Sequence, residues 1–503
     1  MELFAPIIKD AYKIGHKDQY AEGTEVVYSN LTARSGTHSN VKGSTGVIFI
    51  GLQFVIKNIL IDTWNNTFFF KPKDEVVALY QEYVSHALGY TVSVEHIAEL
   101  HELGYLPIEI RALPEGSFVP YKVPMLTIHN TLPDFYWVTN MLETMISAET
   151  WGMITSATTY NAYYETFKYY AGLTGGGEGI RFQAHDFSMR GMNGCHGAAM
   201  SGFAALAAGS LGTDTLVALQ IAKDYYGADL QKEVVGCSVN ATEHSVMCSN
   251  SKEGELDTFR RLLTEIYPHG ILSIVSDTWD FWEVVTGFLP KLKEDILARE
   301  GKVVIRPDSG DPVDILCGTC GPWQAQYDGH ETMLPEEKGL IECLWETFGG
   351  TINSHGFKVL DDHIGAIYGD AITLERQDVI LGKLEARGFC SSNIVLGVGS
   401  YSYQMVSRDT HGMAIKATYV EIDGEGVEIF KDPKTDDGVK KSAKGLLQVQ
   451  SYADGSLLQL TDQVTRTEAE TGALKTVFKN GDLLIETTLQ KVRDRVEQTC
   501  GGI

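Results

Sequence analysis

The stretch of this sequence best equipped for chemistry is a polar turn that directly follows an apolar run at residues 303–305. Proline and glycine shape the turn, and Arg306, Asp308 and Asp311 supply its charged side chains. Arginine presents a fork of N–H donors that matches phosphate oxygens, and carboxylates hold Mg²⁺ through water. The turn therefore predicts a phosphate site, with a surface turn carrying an ion pair as the alternative.

Glu243 and His244 form a second candidate, because an acid and a histidine stand side by side after another apolar run. Histidine serves as a base, a nucleophile or a metal ligand. Asp277 ends the next run, and a carboxylate there would orient the imidazole and balance its charge. The pattern predicts a His244–Asp277 pair, with an ordinary hydrogen-bonded loop histidine as the alternative.

Two late loops that contain glycine are candidates for binding a phosphate. The first carries Gly369 and Asp370, and the second is residues 397–400. Barrel enzymes commonly bind a phosphate at such late loops, through backbone N–H groups at the start of a helix. Arg408 and Lys416 lie shortly downstream and could complete an anion pocket.

The elements that position these residues follow one pattern from about residue 150 onward. Short apolar runs end in glycine, aspartate, serine or arginine, and a helical pattern follows, which indicates βα units around a parallel sheet. Seven units are close to the eight of a barrel, in which the loops after the strands carry the chemistry. The run ends lie at residues 185–190, 212–214, 236–239, 274–277, 304–308, 367–370 and 395–399.

Both ends of the chain have a mixed character. The spacing predicts a helix over residues 49–61, a strand and turn over 108–116, and an antiparallel pair of strands at 414–422 and 426–431. We therefore predict an α/β protein with a (β/α) barrel inserted into an α+β domain built from both chain ends. The expected boundaries assign residues 1–150 and 410–503 to the α+β domain and residues 151–409 to the barrel.

Composition excludes several classes of protein. The chain has 503 residues, of which 44% are hydrophobic and 21% are charged, as is typical of a globular protein with two domains. The formal net charge of −25 argues against a nucleic-acid binder, and a polyphosphate substrate would need local basic residues and divalent cations. We expect neither a membrane span nor a signal peptide, and the scattered cysteines favour the reducing cytoplasm.

Common catalytic and metal motifs are missing from the sequence. It has no HExxH, Walker A or GxSxG pattern. Cys317 and Cys320 have the spacing of a metal or redox pair, but only His330 and Cys343 lie nearby as further ligands. We therefore expect two free thiols in a loop.

A series of stretches, in the same order over nearly the whole chain, resembles the nicotinamide phosphoribosyltransferases, which belong to the type II phosphoribosyltransferases. This collinear match is more specific than any single motif. The resemblance implies an irregular (β/α) barrel with an α+β domain, and a cytoplasmic homodimer with active sites shared at the subunit interface. The stretches are residues 10–16, 28–34, 51–53, 185–191, 212–215, 238–244, 273–280, 305–310, 369–370, 408–409 and 430–433.

The same resemblance implies transfer of phosphoribosyl from phosphoribosyl pyrophosphate to nicotinamide, which gives nicotinamide mononucleotide for NAD biosynthesis. Phe187 would stack on the pyridine ring, with the partner subunit's Tyr12 on the opposite face. Asp214 would accept a hydrogen bond from the carboxamide and repel the carboxylate of nicotinate. The other implied substrate-binding residues are Arg190, Ser238, Ser273, Arg306, Gly369, Asp370, Gly399, Ser400 and Arg408.

In this family the histidine that corresponds to His244 is phosphorylated by ATP, so the resemblance implies an ATP-coupled reaction. Glu243 and Asp277 would support the phosphohistidine, and Asp308 would lie near the ribose. Mg²⁺ would be bound mainly through pyrophosphate and water rather than by protein ligands. Positive charge around pyrophosphate and ATP would come from Arg34, Lys416, Lys431 and Lys440.

The sequence departs from the family pattern in its phosphate loop, which is Gly-Val-Gly-Ser-Tyr at residues 397–401, and in an insertion at about residues 317–337. Nicotinate phosphoribosyltransferase is the nearest alternative, and Asp214 argues against it because an acidic base would meet an acidic side chain. A catalytically inactive binding protein on the same scaffold and a generic sugar-phosphate barrel enzyme are further alternatives.

Overall fold

The computed structural model describes residues 2–177, 179–320, 333–430, 443–451 and 458–500. The chain forms two compact units, which we call the terminal unit and the barrel unit. The terminal unit comprises Met1–Thr158, Gln220–Glu233 and Val406–Ile503, and the barrel unit comprises Thr159–Leu219 and Val234–Met405. Within the described ranges, no helix is both long enough and apolar enough to cross a membrane.

The terminal unit is built on a seven-stranded antiparallel sheet. Ile108, Ile110 and Ala112 are buried and alternate with the more exposed Glu109 and Arg111, as the two-residue period of a strand requires. Strands from both ends of the chain pair in this sheet, as predicted. In spatial order the strands are Glu425–Glu428, Ala414–Ile422, Thr24–Thr32, Pro124–Asn130, Ile108–Ala112, Lys475–Lys479 and Asp482–Leu483.

Helices and two small two-stranded antiparallel sheets complete the terminal unit. These sheets pair Gly46–Ile48 with Phe118–Pro120, and Leu446–Ser451 with Leu458–Val464. The predicted helix near residue 50 is present, and wider turns of i→i+5 type extend it to Phe69. The helical segments are Ala5–Ile7, Ala11–Gly15, His16–Gln19, Leu52–Val55, Ile56–Thr63, Asn65–Phe69, Lys73–Leu88, Glu95–Leu103, Pro133–Phe135, Arg466–Ala469 and Leu489–Cys500. The helices Tyr136–Thr174 and Leu216–Tyr226 contribute residues to both units.

The barrel unit contains a six-stranded, wholly parallel sheet. Single parallel bridges join Asp186 to Thr213 and Gly212 to Cys237, so the pairing continues from one edge of the sheet back towards the other. All of the predicted run ends fall at these strands or bridges, which confirms the (β/α) barrel. In spatial order the strands are Ala184–Asp186, Ile394–Val398, Ile364–Tyr368, Val303–Arg306, Leu272–Val275 and Asn240–Ala241.

Helices follow the strands of the barrel unit, and burial explains why the central strands are rich in apolar residues. Every residue of Leu272–Val275 and of Ile364–Tyr368 is buried, as expected for parallel strands covered on both faces. A small hairpin pairs Gly350–Ile352 with Lys358–Leu360. The helical segments are Ile180–Gln183, Met189–Gly191, Gly194–Ala207, His244–Cys248, Glu255–Arg261, Leu262–Ile266, Phe281–Glu283, Val284–Phe288, Leu289–Leu297, Pro312–Cys317, Pro335–Lys338, Leu340–Phe348, Leu374–Ala386, Ser391–Asn393 and Ser400–Gln404.

Candidate active site

A cavity of about 950 Å³ opens at the carboxyl ends of the parallel strands. Residues at or just after four strand ends and the bridge at Thr213 contribute to its wall, which is where barrel enzymes place their reactive groups. Its lining therefore combines residues that are far apart in the sequence. The predicted site residues that line it are Phe187, Arg190, Asp214, Glu243, Arg306, Asp308, Gly369 and Asp370.

The ring of Phe187 is seated against the backbone of two neighbouring strand ends. A Cβ atom at Gly397 would lie 2.2 Å from Cδ2 of Phe187, and one at Gly369 would lie 3.0 Å from the same ring. Only glycine at position 397 leaves this space free without a shift of the ring or the backbone. The two glycines therefore allow the aromatic face to form part of the cavity wall.

The Asp214 carboxylate is held by two donors. Nε2 of His185 lies 2.9 Å from Oδ1 of Asp214, and the hydroxyl of Ser238 donates to the same oxygen. Burial opposes ionisation of Asp214, but these hydrogen bonds and the positive charge of Arg306 lower its pKa below the ordinary value. The cavity thus presents an ionised carboxylate at neutral pH.

Asp186 fixes the two loops that carry Phe187 and Asp214. It is buried, with one carboxylate oxygen accepting from the backbone N–H of Ser188 at 2.9 Å and the other from the hydroxyl of Thr213 at 3.2 Å. A buried carboxylate left without such donors would be costly. Asp186 therefore joins the ends of adjacent strands and sets the spacing of the residues that follow them.

His244 and Asp277 come together as the sequence predicts. Nε2 of His244 lies 3.1 Å from Oδ1 of Asp277, whose Oδ2 accepts from the backbone N–H of Asp308 at 3.0 Å. Burial would raise the pKa of Asp277, but hydrogen bonds from Ser309, Asp308 and His244 lower it overall. Because an ionised carboxylate only accepts, Nε2 of His244 carries a proton, and in a neutral imidazole the lone pair would then lie on Nδ1.

The pKa of Asp308 shifts in the opposite direction, upwards. Burial raises its pKa, and the nearby carboxylates of Asp277 and Asp370 raise it further, although Arg306 opposes them. Arg306 donates from Nη2 to the carbonyl oxygen of Thr242 at 2.6 Å, and its Nε lies 3.6 Å from Asp308. The guanidinium is thus fixed at the cavity wall beside a carboxylate whose pKa lies above its ordinary value.

Comparisons with known proteins agree with this geometry. The model of the nicotinate phosphoribosyltransferase (NAPRTase) family matches residues 182–482, and the model of the nicotinamide phosphoribosyltransferase N-terminal domain matches residues 6–110. A relative from Acinetobacter baylyi named nicotinamide phosphoribosyltransferase is 50% identical over 97% of this chain and 96% of its own length. The chain belongs to the nicotinamide phosphoribosyltransferase family. A further relative of this name, from Xanthomonas campestris, is 33% identical over 96% of both chains.

Two solved structures share the fold of this chain. The nicotinate-nucleotide pyrophosphorylase of Pyrococcus furiosus aligns over 99% of this chain and 95% of its own with a TM-score of 0.58 and 14% sequence identity. The human nicotinic acid phosphoribosyltransferase aligns over 98% of this chain and 93% of its own with a TM-score of 0.54 and 14% identity. At these identities the likeness concerns the fold alone, and it confirms the predicted fold class.

Three further predicted residues of the barrel unit, Ser273, Gly399 and Ser400, lie in or next to the parallel strands. Ser273 is buried within the strand Leu272–Val275, and its hydroxyl has no hydrogen-bond partner among the described residues. Gly399 precedes the short helix Ser400–Gln404, and Ser400 fills the space where a side chain at position 191 would lie. Their roles in substrate binding stay predictions.

Four predicted binding residues belong to the terminal unit: Tyr12, Arg34, Arg408 and Lys416. Tyr12 is 66% exposed, and the positive charge of Arg408 acts on its hydroxyl. Arg34 donates from Nε to the carbonyl oxygen of Gly412 at 2.8 Å. The predicted cations Lys431 and Lys440 lie outside the described residues, so their roles also stay predictions.

The sequence analysis assigned no role to His185, Asp186 or Thr242, which the structure places at the site. His185 and Asp186 belong to a stretch singled out as a strand end, but their partners are 27 to 29 residues away. The two-residue period of a strand could have indicated these roles. It places His185 on the same face as Phe187 and Asp186 on the opposite face.

The cysteine pair Cys317 and Cys320 lies at the start of the predicted insertion. Cys317 and Cys320 are both free, as expected, but Cys317 is the last residue of the helix Pro312–Cys317 and not part of a loop. Burial raises the pKa of the Cys317 thiol to about 12, which keeps it protonated and unreactive. The described residues contain no cluster of three or more His, Cys, Asp or Glu side chains that could hold a metal ion.

Proposed function

We propose that this protein transfers the phosphoribosyl group of phosphoribosyl pyrophosphate to nicotinamide and releases nicotinamide mononucleotide and pyrophosphate, a reaction of NAD salvage. The single observation that carries this choice of base is the ionised Asp214 carboxylate in the cavity wall. A carboxylate accepts a hydrogen bond from the NH₂ of a carboxamide and repels the carboxylate of nicotinate. The names of the relatives support the same substrate.

Phe187 provides the complementary apolar contact. Its ring lies on the cavity wall against Gly369 and Gly397, and an aromatic face suits stacking on a pyridine ring. The partner subunit's Tyr12 supplies the opposite face in a homodimer with shared active sites. Stacking recognises the ring common to both bases, so discrimination between them rests on Asp214.

The transfer reaction needs cations near the phosphoribosyl pyrophosphate. The lining of the cavity contains two guanidinium groups, at Arg190 and Arg306, together with four carboxylates, at Asp214, Glu243, Asp308 and Asp370. This balance suits a substrate that enters as its Mg²⁺ complex, with Asp308 and Asp370 facing water molecules of the metal. Asp308 then lies next to positive charge as the C1–O bond to pyrophosphate breaks and cationic character develops on the ribose.

ATP hydrolysis is coupled to this transfer through His244. Asp277 fixes the proton of the imidazole on Nε2, so the lone pair of Nδ1 attacks the γ-phosphorus of ATP. The bond from that phosphorus to the ADP oxygen breaks, which gives phosphohistidine and ADP. Water later attacks the phosphorus and restores the imidazole with release of phosphate. The Asp277 carboxylate stabilises the imidazole while it carries the phosphoryl group.

The deciding experiment incubates the purified protein with phosphoribosyl pyrophosphate, Mg²⁺ and either nicotinamide or nicotinate, with and without ATP. We expect nicotinamide mononucleotide to form preferentially and ATP to enhance its formation. Quantification of both mononucleotides by chromatography measures the preference directly. Preferential use of nicotinate would contradict the role of Asp214 and favour the alternative base. A lack of product from either base would favour an inactive binding protein on this scaffold.

A further inference from the structure

The two donors that hold Asp214 bind the same carboxylate oxygen. His185 Nε2 and the Ser238 hydroxyl both contact Oδ1, while the side chain of Asp214 remains 47% exposed and lines the cavity. A carboxylate has about four lone-pair sites, two on each oxygen. The pair of donors therefore occupies Oδ1 and leaves the lone pairs of Oδ2 for a ligand in the cavity.

The ionisation of Asp214 also fixes the tautomer of His185. Since the carboxylate can only accept, Nε2 of His185 bears the hydrogen and donates it. The imidazole is only 10% exposed, and it occupies space that Gly212 leaves open, because a Cβ atom at position 212 would lie 2.7 Å from Nδ1. The donor is consequently held in one place by packing rather than by its hydrogen bond alone.

His185 contacts the aromatic wall of the cavity as well. Its ring centroid lies 4.8 Å from that of Phe187, with an angle of 56° between the planes. Residues 185 and 187 share a face because they are two positions apart at the end of a strand. The imidazole of His185 thus contacts both the Phe187 ring, which would stack on the base, and the Asp214 carboxylate, which would bind the carboxamide of the base.

We propose that His185 is a positioning residue that determines the selectivity for the base. It sets the direction of Asp214 Oδ2 relative to the Phe187 ring, so that Oδ2 meets the amide nitrogen of a pyridine carboxamide stacked on Phe187. This inference rests on the proposed function. Without His185 the carboxylate of Asp214 turns towards water, which weakens the binding of nicotinamide and the exclusion of nicotinate but not the binding of phosphoribosyl pyrophosphate.

The first test compares His185→Leu with His185→Gln, because the glutamine amide can donate to Asp214 in place of the imidazole whereas leucine cannot. We expect the KM for nicotinamide to rise about tenfold in His185→Leu, as befits the loss of one hydrogen bond to a charged group. We expect kcat and the KM for phosphoribosyl pyrophosphate to stay within about twofold, and His185→Gln to recover most of the nicotinamide KM. Thermal unfolding of each variant verifies that it is folded.

His269→Leu is the matched control. Nδ1 of His269 lies 3.5 Å from a carboxylate oxygen of Glu300, so it is another histidine–acid contact of the barrel unit. It precedes the strand Leu272–Val275, at the end opposite the cavity, and its side chain is 74% exposed. We expect this variant to keep the wild-type KM for every substrate and the wild-type preference for nicotinamide.

A double-mutant cycle with Asp214→Asn separates positioning from general damage. If His185 acts through Asp214, then His185→Leu changes the nicotinamide-to-nicotinate ratio in the wild type but has little further effect in the Asp214→Asn background. Independent, additive effects would overturn the proposal, as would an unchanged KM for nicotinamide in His185→Leu. A wild-type enzyme that prefers nicotinate would contradict the proposed function itself, and this inference with it.

Discussion

The carboxylates of the cavity differ in the direction of their pKa shifts, and the difference follows from their hydrogen bonds. Asp214 and Asp277 accept bonds that outweigh burial, so each is held in the ionised form. Asp308 faces two other acids, and burial raises its pKa. Asp214 and Asp277, which stay ionised, are therefore suited to orient neighbouring hydrogen-bond donors. The ionised form of Asp308 would be stabilised by a cation that binds beside it.

The phosphohistidine proposal makes a prediction for a single residue. In His244→Ala we expect the enhancement by ATP to disappear while slow, ATP-independent transfer remains, because Arg306, Asp308 and Asp214 still line the cavity in which the substrates are proposed to bind. The measurement is the initial rate of nicotinamide mononucleotide formation with and without ATP. A second readout is labelling of the protein by γ-³²P-ATP, which should be acid-labile in the wild type and absent in the variant.

The control for this prediction is His269→Ala, which removes an exposed imidazole beside Glu300 at the other end of the strands. It should retain both the ATP enhancement and the label. An equal fall of the ATP-dependent and ATP-independent rates in His244→Ala would contradict the phosphohistidine role, because it would mean that His244 serves the transfer step itself.

At this scale the sequence predicts the types of reactive residue but not their orientation. Arg306, Asp308 and Asp277 stand directly after apolar runs, so their position at strand ends could be predicted. The bond between His185 and Asp214 joins residues that are 29 positions apart on different strands. Such a contact depends on the register and curvature of the sheet, which local sequence patterns do not specify.

At the level of elements, most of the parallel strands could be predicted because their buried positions are largely apolar, as in Ile364–Tyr368, while the polar residues fall at or near their carboxyl ends. The strand ends at residues 212–214 and 236–239 were also predicted, but the sequence pattern did not indicate that the pairing there consists of single bridges at Thr213 and Cys237 rather than long strands. The glycines of the late loops could also be interpreted in more than one way from the sequence. Gly369 and Gly397 suggested phosphate loops, whereas the structure adds a packing reason for both, the close approach of the Phe187 ring.

One helix of the barrel unit carries a prediction about pH. Glu255 begins the helix Glu255–Arg261 and is buried, and burial together with the charge of Asp280 raises its pKa from 4.5 to about 7, against the opposing charge of Lys252. A raised carboxyl pKa means that the folded state prefers the neutral acid. Its stabilising contribution is complete below about pH 4.5 and is lost as the pH rises through about 7.

Glu255→Gln removes this titration while keeping the shape of the side chain. We expect the Tm of the variant to match the wild type at pH 5 and to exceed it by about 2 °C at pH 8, measured by circular dichroism. Glu253→Gln, an exposed acid two residues earlier, should leave the Tm unchanged at both pH values. A Glu255→Gln variant that is less stable than the wild type at pH 8 would contradict the assignment of a buried, costly charge.

For the whole molecule, the main question is how a chain with a net charge of −25 binds a polyphosphate. The cavity alone does not supply an excess of cations, because its lining contains four carboxylates and two arginines. The predicted cations Arg34, Arg408 and Lys416 belong to the terminal unit. In the proposed homodimer, Mg²⁺ on the substrate and cations from the partner subunit would together balance the charge of the pyrophosphate.

Complementation between inactive variants tests the shared site. If each site combines Tyr12 of one subunit with Asp308 of the other, then co-expressed Tyr12→Ala and Asp308→Asn chains form heterodimers with one intact and one doubly defective site. Random pairing makes half of the dimers mixed, so we expect about a quarter of the wild-type activity. The control mixes Arg306→Ala with Asp308→Asn, whose defects lie in the same cavity, and should recover nothing. Activity of the first mixture no higher than that of the control would mean that Tyr12 serves its own chain or no site at all, because two singly defective sites cannot restore each other.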